Sequence, residues 1–432
     1  MTCNNHFKTL SWRYLACILT ALWACISCSN EQRDKKPVLI WERELPDPGT
    51  TQSGPSLDSR GEVLCITGKG ELKPGRPNVI VNVFLFRAEN GELINKIEQG
   101  LDLVRPANIP DYPIPAAYII MPGCSMHATS NLRGPGSVLS VTGYIRLKAR
   151  TYDISSGKLL GEFEVAPTPG PLTGIVQPKR RWFRPLAFLH ASSERAYCFA
   201  CANYSLEQGN RERLDVDLVT LTPEDTKNPA KTLLSFYAER ERDSTVDFIS
   251  ILRDWEDKWL IWLHEYGGKC YVTAYDPELR EFITLAEGAR ENFSDLRKLD
   301  SDASIYDRRT GQVFELDRKD FRKGGVVLGT WRLGAGQKKV LWRDPKGCLF
   351  RLFSHPHRRY LATALGVGEP PYKTHEIVIL HADTLRELCR WTEKGEFLGM
   401  CFCRHTDRLF LAFLEKGDWR LVLKCYKIPF SE

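Results

Sequence analysis

The sequence has no His-Glu-x-x-His, no Gly-x-Ser-x-Gly, no P-loop and no dinucleotide-type glycine pattern after an apolar strand. As linear motifs, these would have marked a zinc protease, an α/β-hydrolase, a phosphate-loop enzyme or a nicotinamide enzyme. Long apolar runs are missing too: the longest, residues 14–27, falls short of the roughly 20 residues that a membrane-crossing helix needs. Charge of one sign is also missing, since 60 Lys and Arg stand against 54 Asp and Glu for a formal net charge of +6. So small a net field leaves no footprint for nucleic acid, which is set aside as a partner. Nor is there the bias of disorder or collagen. With 43% hydrophobic and 11% aromatic residues over 432 positions, a soluble chain can bury a large core.

The first residues read as a targeting segment. Lys8 and Arg13 precede the apolar run, and small residues and the polar stretch 30–36 follow it. That order is the signature of a cleaved signal peptide, residues 1–27, ahead of a linker, residues 28–36. Two processing routes fit. Cys28 after Cys25-Ile26-Ser27 resembles a bacterial lipoprotein box, with Cys25 where Leu is usual, and Ser27-Cys28-Ser29 also suits an ordinary signal peptidase. The lipoprotein route is preferred, with Cys28 as the acylated residue and a lipid anchor as the one contact with membrane. The expected location is exported, either periplasmic or membrane-anchored. Of 14 cysteines, Cys3, Cys17 and Cys25 leave with residues 1–27, and the 11 that remain become an even ten if Cys28 is lipidated.

Residues 37–432 carry a recurring phrase: an apolar strand, a polar or Tyr-Asp end, a turn, and a second apolar strand. Val83-Phe84-Leu85-Phe86 precedes Asn90-Gly91, and residues 149–153 precede Ser155-Ser156-Gly157. Further copies are residues 272–276 before Pro277, Ile305-Tyr306-Asp307 before Arg309-Thr310-Gly311, and residues 377–380 before Asp383-Thr384. Such dipeptides between apolar runs are hairpin signals and read as outer hairpins. A second strand–turn–strand phrase comes before the first, as in residues 349–365 and 398–414. Together they predict four-stranded antiparallel units near 55–97, 115–163, 182–222, 248–285, 292–342, 348–390 and 396–428. Repeated small sheets bury their faces only against one another, which predicts an all-β single propeller of about seven blades. The last unit supplies three strands, and residues 37–44 supply an orphan strand. Pairing the two closes the ring without a free sheet edge at the seam.

These units resemble those of WD-repeat and quinoprotein-like β-propeller proteins. Tyr152-Asp153, Tyr275-Asp276 and Tyr306-Asp307 stand where that superfamily has Trp-Asp, and Ser156-Gly157-Lys158 and Thr310-Gly311-Gln312 resemble its Thr-Gly-Lys turn. No Trp-Asp dipeptide occurs, so the resemblance implies a fold and no particular member or cofactor.

Turns between first and second strands share one rim with the outer hairpin turns, and the long connections crowd the other. Function concentrates on loops carried by a rigid scaffold, which places the candidate binding face on the long-loop rim. Its candidate residues are Lys73, Arg76, Arg105, Tyr112, Lys179, Arg180, Arg181, Trp182, Arg211, Arg213, Trp255 and Tyr372. Arginine and aromatic side chains anchor protein interfaces and hold acidic glycans, although charged loop residues are ordinarily just solvated.

Catalytic candidates are few. His355-Pro356-His357 suggests a metal, but its turn context and the distance round the ring to His405 argue against one. Cys198-Phe199-Ala200-Cys201 lies in a strand whose alternation sends the thiols to opposite faces, and Cys401 and Cys403 read as small core residues. His264-Glu265 and the pair Asp215 and Asp217, on an exposed strand edge, are acid–base candidates by type alone. Neither metal nor cofactor is expected. The reading that follows is an exported propeller that binds or scaffolds another protein or an envelope polymer. The alternatives are a carbohydrate-active hydrolase or lyase with carboxylates at the ring centre, and a quinone- or metal-dependent oxidoreductase.

Overall fold

A computed structural model describes residues 36–45, 50–51, 54–57, 61–69, 78–102, 116–120, 127–131, 147–152, 159–165, 181–191, 196–205, 211–221, 230–241, 250–256, 259–266, 268–276, 279–293, 303–317, 325–333, 339–345, 351–367, 373–415 and 420–428. Strands dominate them, and the only helical element among them is the 3-10 turn Arg290–Phe293.

β1 (Val38–Leu45) comes first. The first sheet holds β2 (Thr50–Thr51), β3 (Ser56–Leu57), β4 (Val63–Lys69), β5 (Asn78–Arg87) and β6 (Leu93–Asp102), with β2 and β3 both paired to β4. The second holds β7 (Ala116–Ile120), β8 (His127–Asn131), β9 (Leu147–Tyr152) and β10 (Leu159–Val165), ordered β10-β9-β7-β8. The third runs β11 (Arg181–Ala191), β12 (Ala196–Ser205), β13 (Arg211–Leu221) and β14 (Ala230–Glu241) in sequence. An eight-stranded sheet follows. One half is β15 (Ser250–Asp254), β16 (Leu260–Tyr266), β17 (Lys269–Asp276) and β18 (Glu281–Ala289). The other is β19 (Ser304–Asp307), β20 (Gln312–Asp317), β21 (Val326–Arg332) and β22 (Lys339–Asp344). β23 (Leu352–Ser354), β24 (Tyr360–Gly366), β25 (Thr374–His381) and β26 (Glu387–Lys394) form the next sheet. The last contains β27 (Glu396–Phe402), β28 (Arg408–Glu415), β29 (Arg420–Lys427) and, beyond β29, β1.

Alternation of side chains lets the sheets of β23–β26 and of β27–β29 with β1 bury both faces. Along β28, Leu409, Leu411 and Phe413 pack with Phe353, Ala362, Ile377 and Ile379 of the preceding sheet. Phe410 and Ala412, pointing the other way, pack with Leu64, Ile66, Phe84 and Phe86 of the first sheet. β24 and β25 divide in the same manner, with Val378 and Leu380 facing Phe314 and Leu328. β20 then turns Val313 toward Ile261, Leu263 and Val272. Each Leu, Ile, Val or Phe among them contributes about 1.5–3 kcal/mol by leaving water, and a sheet this small can bury its two faces only against neighbouring sheets.

β1 pairs antiparallel with β29 from Val38 opposite Lys427 to Leu45 opposite Leu421. Trp41 is the one buried residue of β1; its ring meets that of Phe410, and its indole N–H donates to the Ala88 carbonyl oxygen, 3.2 Å. Gly91 permits this approach, because a Cβ there would lie 2.7 Å from the Trp41 ring and φ is +71°. Gly399 and Gly54 meet as closely at the opposite edge of the same interface, where a Cβ on Gly399 would stand 2.6 Å from the Gly54 Cα.

Four sequence expectations need correction. In the second sheet β7 runs parallel to β9, so that unit is not purely antiparallel, and β15 pairs parallel with β19 to merge two units. Tyr306-Asp307 ends β19, which pairs with β15 on one side and β20 on the other. It is therefore an inner hairpin, not an outer one. The unit expected from residue 292 starts at Ser304, since Phe293 packs into the cluster of Leu252, Ile261 and Leu263. Finally, Asp215 and Asp217 lie on β13, which is paired on both sides and is no edge.

Candidate functional site

Of the candidate binding residues, Lys73, Arg76, Arg105, Tyr112, Lys179, Arg180 and Tyr372 lie outside the described residues, as does Cys28. Arg181, Trp182, Arg211 and Arg213 belong to strands, not loops, because β11 begins at Arg181 and β13 at Arg211. Pairing sets them in order: Arg181 opposes Tyr204, Tyr204 opposes Arg213, and Arg213 opposes Glu239. Both strands start at the end of the sheet where the longer connections lie. Trp255 does not belong to the long-loop rim, where the sequence puts it. It sits in the turn between β15 and β16, at the opposite end, and is buried at 1% exposure.

That opposite end, the short-turn rim, is where described side chains converge most densely. The Trp255 indole N–H donates to the His355 carbonyl oxygen at 2.9 Å, and the Ser354 hydroxyl donates to the Trp255 carbonyl oxygen at 2.8 Å. The Arg359 guanidinium lies over the Trp255 ring, 4.7 Å from its centroid, and donates to Asp307 at 2.6 Å and to Asp383 at 2.6 Å. Its hydrogen bond holds the Asp383 carboxyl below the usual carboxylate range. Glu256, buried, accepts from Arg308 at 2.6 Å and Arg309 at 2.7 Å, and Arg404 donates to the Glu256 carbonyl oxygen at 3.2 Å. Arg358 pairs with Asp407 at 2.8 Å. Turns of the sheets from β15 to β29 are thereby stitched edge to edge.

His355 and His264 are held in hydrogen bonds within the fold. His355 is buried, and its Nδ1 accepts the backbone N–H groups of His357 at 3.2 Å and Arg358 at 3.1 Å. Burial, helped by the nearby Arg358 charge, lowers its pKa to about 4. His264 shares a 3.0 Å hydrogen bond with the Thr273 hydroxyl, and burial lowers it to about 4 as well. His357 and His405, expected to be far apart, have ring centroids 6.1 Å apart. Among the described residues, no three His, Cys, Asp or Glu side chains gather as metal ligands. Cys403 is a buried free thiol packed with Phe410 and Leu421, and Cys401 lies against the same cluster.

The arrangement is an arginine–carboxylate clasp, in which Glu256 and Asp307 are each held by arginine. Sequence reading missed Glu256, Asp307, Arg308 and Arg359 as partners. The clue available was the charge density of the first-to-second-strand turns in residues 254–258, 307–309, 355–359 and 404–408.

No protein-family model matches the chain, and no curated protein matches it. Among solved structures, one titled "Structure of Dos1 propeller" is similar at 9% identity and a TM-score of 0.42, covering 90% of this chain and 96% of that one. Another, titled "AtxE2 Isopeptidase - APO", is similar at 11% identity and a TM-score of 0.30, covering 84% of this chain. This chain spans 48% of that isopeptidase chain, about half its length. Superpositions this loose leave the architecture to be argued from the chain's own pairing and packing.

Proposed function

We propose that residues 37–432 form one closed β-propeller of about seven blades, which serves as an exported binding or scaffold module. The observation that carries the architecture is the packing of the last sheet on the first through Trp41, Phe410, Phe84 and Phe86, with β1 zipped to β29. A stack of sheets, each burying both faces, has no exposed end if its last member also packs on its first. The two halves of the eight-stranded sheet count as two blades, joined where innermost strands touch.

A rigid ring of this kind works by presenting loops. The binding face is the long-loop rim, with Arg181, Trp182, Arg211 and Arg213 at its strand starts, Lys179 and Arg180 just before them, and Lys73, Arg76, Arg105, Tyr112 and Tyr372 elsewhere on that rim. Its partner is another protein or an envelope polymer. Residues 1–27 act as the export signal, and Cys28 carries the lipid that keeps the propeller at the envelope. Replacing Lys179, Arg180, Arg181, Arg211 and Arg213 by Ala together tests the face. Retention on purified envelope polymer, or recovery of a cross-linked partner from cells, should fall at least about 10-fold, as expected when several interface arginines are lost. Unchanged retention and recovery would remove this face from consideration.

A further inference from the structure

The exposed large hydrophobic side chains are not scattered. Val38, Leu39, Ile40, Leu93, Leu279, Phe282, Val340 and Val367 are the large hydrophobics that remain exposed among the described residues. Val38, Leu93, Phe282 and Val340 are first or second residues of β1, β6, β18 and β22, and each of these strands ends its sheet. Leu279 lies in the turn that leads into β18. All of these strands start at the short-turn rim. For β1 this follows from register, since Val38 opposes Lys427, which opposes Arg408, the residue just after the turn 403–407. The turn before β6 is tied to the same rim, because Ala88 N donates to the Glu62 carbonyl oxygen and Arg408 donates to the Ala88 and Glu89 carbonyl oxygens. Val367 alone follows β24 at the other end.

A collar of apolar side chains at one rim, on strands that otherwise show polar residues outward, is more than the ordinary exposure of single apolar residues. The chain also enters the fold at this rim. Lys36 is exposed there, and Cys28 precedes Val38 by ten residues, which at full extension reach about 35 Å. A lipid on Cys28 would tether the protein by a chain that attaches at this rim and not at the long-loop rim.

We infer that the short-turn rim rests on a lipid bilayer surface, with the apolar collar entering the interfacial region and the long-loop rim turned away toward the partner. The inference rests on the anchored reading for its orientation but not for its chemistry. Exposed Lys36, Arg280, Arg309, Arg386 and Lys427 share the rim with exposed Glu89, Glu92, Glu281 and Asp383. Apolar burial therefore carries the attraction, at about 25 cal/mol for each Å² covered, and net charge adds little.

The chain from residue 29, which keeps every described strand and no lipid, tests the rim by sedimentation with phosphatidylethanolamine–phosphatidylglycerol vesicles. It should partition onto them, and raising the salt to molar concentration should weaken binding less than about 3-fold. Leu93→Ser, Leu279→Ser and Val340→Ser combined should lower the partition coefficient at least about 10-fold, and so should Val38→Ser with Leu39→Ser and Ile40→Ser. Val367→Ser should leave it unchanged. No sedimentation of the parent chain, or equal loss with Val367→Ser, would overturn the inference. Incorporation of labelled fatty acid into the full chain, and its loss with Cys28→Ser, tests the anchor separately. A failed anchor with intact vesicle binding would refute lipidation and leave the rim standing.

Discussion

The indole of Trp255 and the backbone carbonyl of His355 are joined by a 2.9 Å hydrogen bond across 100 residues of chain. The turn that carries Trp255 reaches past the sheet half that follows it and rests on the next sheet. The Trp255 ring packs with Phe314, 5.6 Å between centroids, under the Arg359 guanidinium. Trp255→Ala removes a fully buried indole, its hydrogen bond and a cation–π contact together. The expected loss is about 3–5 kcal/mol, read as a lower denaturant midpoint with an unchanged slope. A loss below about 1 kcal/mol would mean that the turn is not anchored as described.

Trp41 tests the seam where the chain's first strand meets its last. Trp41→Ala should cost about 3–5 kcal/mol, because the indole fills the space between Phe410 and the first sheet. Gly91→Ala approaches the same contact from the other side. A methyl group there would overlap the Trp41 ring while φ stays positive, and about 1–3 kcal/mol should be lost. Both variants should speed proteolysis near β1 before other strands are cut. If Trp41→Ala and Gly91→Ala leave stability untouched, the β1–β29 pairing contributes nothing to holding the fold.

Much of this was legible in the sequence, and the reasons it was not complete are specific. β28 announces itself, since Leu409, Phe410, Leu411, Ala412 and Phe413 form a continuous apolar run, as expected of a strand covered on both sides. β1 was legible for a different reason: the last sheet lacked a strand and the start of the chain had one to spare. Period-two patterning says nothing about whether a hairpin is inner or outer, so Tyr306-Asp307 reads like Tyr275-Asp276 although the two end different kinds of strand. The parallel pairing of β7 and β9 leaves no local mark, because no tight turn joins the two strands. Trp255 stood between Asp254 and Glu256 and looked exposed; what buries it lies about 50 to 100 residues farther along.

The clasp at the short-turn rim should respond to removal of one partner. Asp307 is fully buried and accepts from Arg359, from the Thr310 hydroxyl and from the Arg309 backbone N–H. Asp307→Asn keeps the shape but leaves the partly exposed Arg359 short of a counter-charge. A cost of about 1–3 kcal/mol is expected, with Asp383 still holding one side of the guanidinium. Thermal melts would read this as a drop of a few degrees. An Asp307→Asn protein as stable as the parent would show that the charge on this buried carboxylate is dispensable.

Buried thiols give a readout that needs no partner. Burial pushes the Cys389 and Cys425 thiols up to about 12, so almost no thiolate exists at neutral pH. In the folded chain both should resist iodoacetamide at pH 8, and both should react once denaturant unfolds it, as peptide mass mapping would record. Fast labelling of Cys425 without denaturant would place it at a surface instead of between Phe410 and Leu423.

Acid should loosen the protein earlier than its carboxylates alone would require. His264 and His355 take up a proton near pH 4 in the folded state, against about 6.5 in the unfolded chain. Between these values the unfolded state binds more protons, so stability is complete above about pH 6.5 and falls as the pH drops toward 4. Each histidine contributes on the order of 3 kcal/mol over that window, because the native fold would have to bury an imidazolium or open to hydrate it. His355→Asn retains an acceptor for the backbone N–H groups of His357 and Arg358 but cannot titrate. Urea midpoints measured at pH 7 and pH 5 should therefore differ less for His355→Asn than for the parent. Identical pH dependence in the two proteins would mean that His355 is protonated in the fold as easily as in water, and that the turn of residues 355–359 does not bury it.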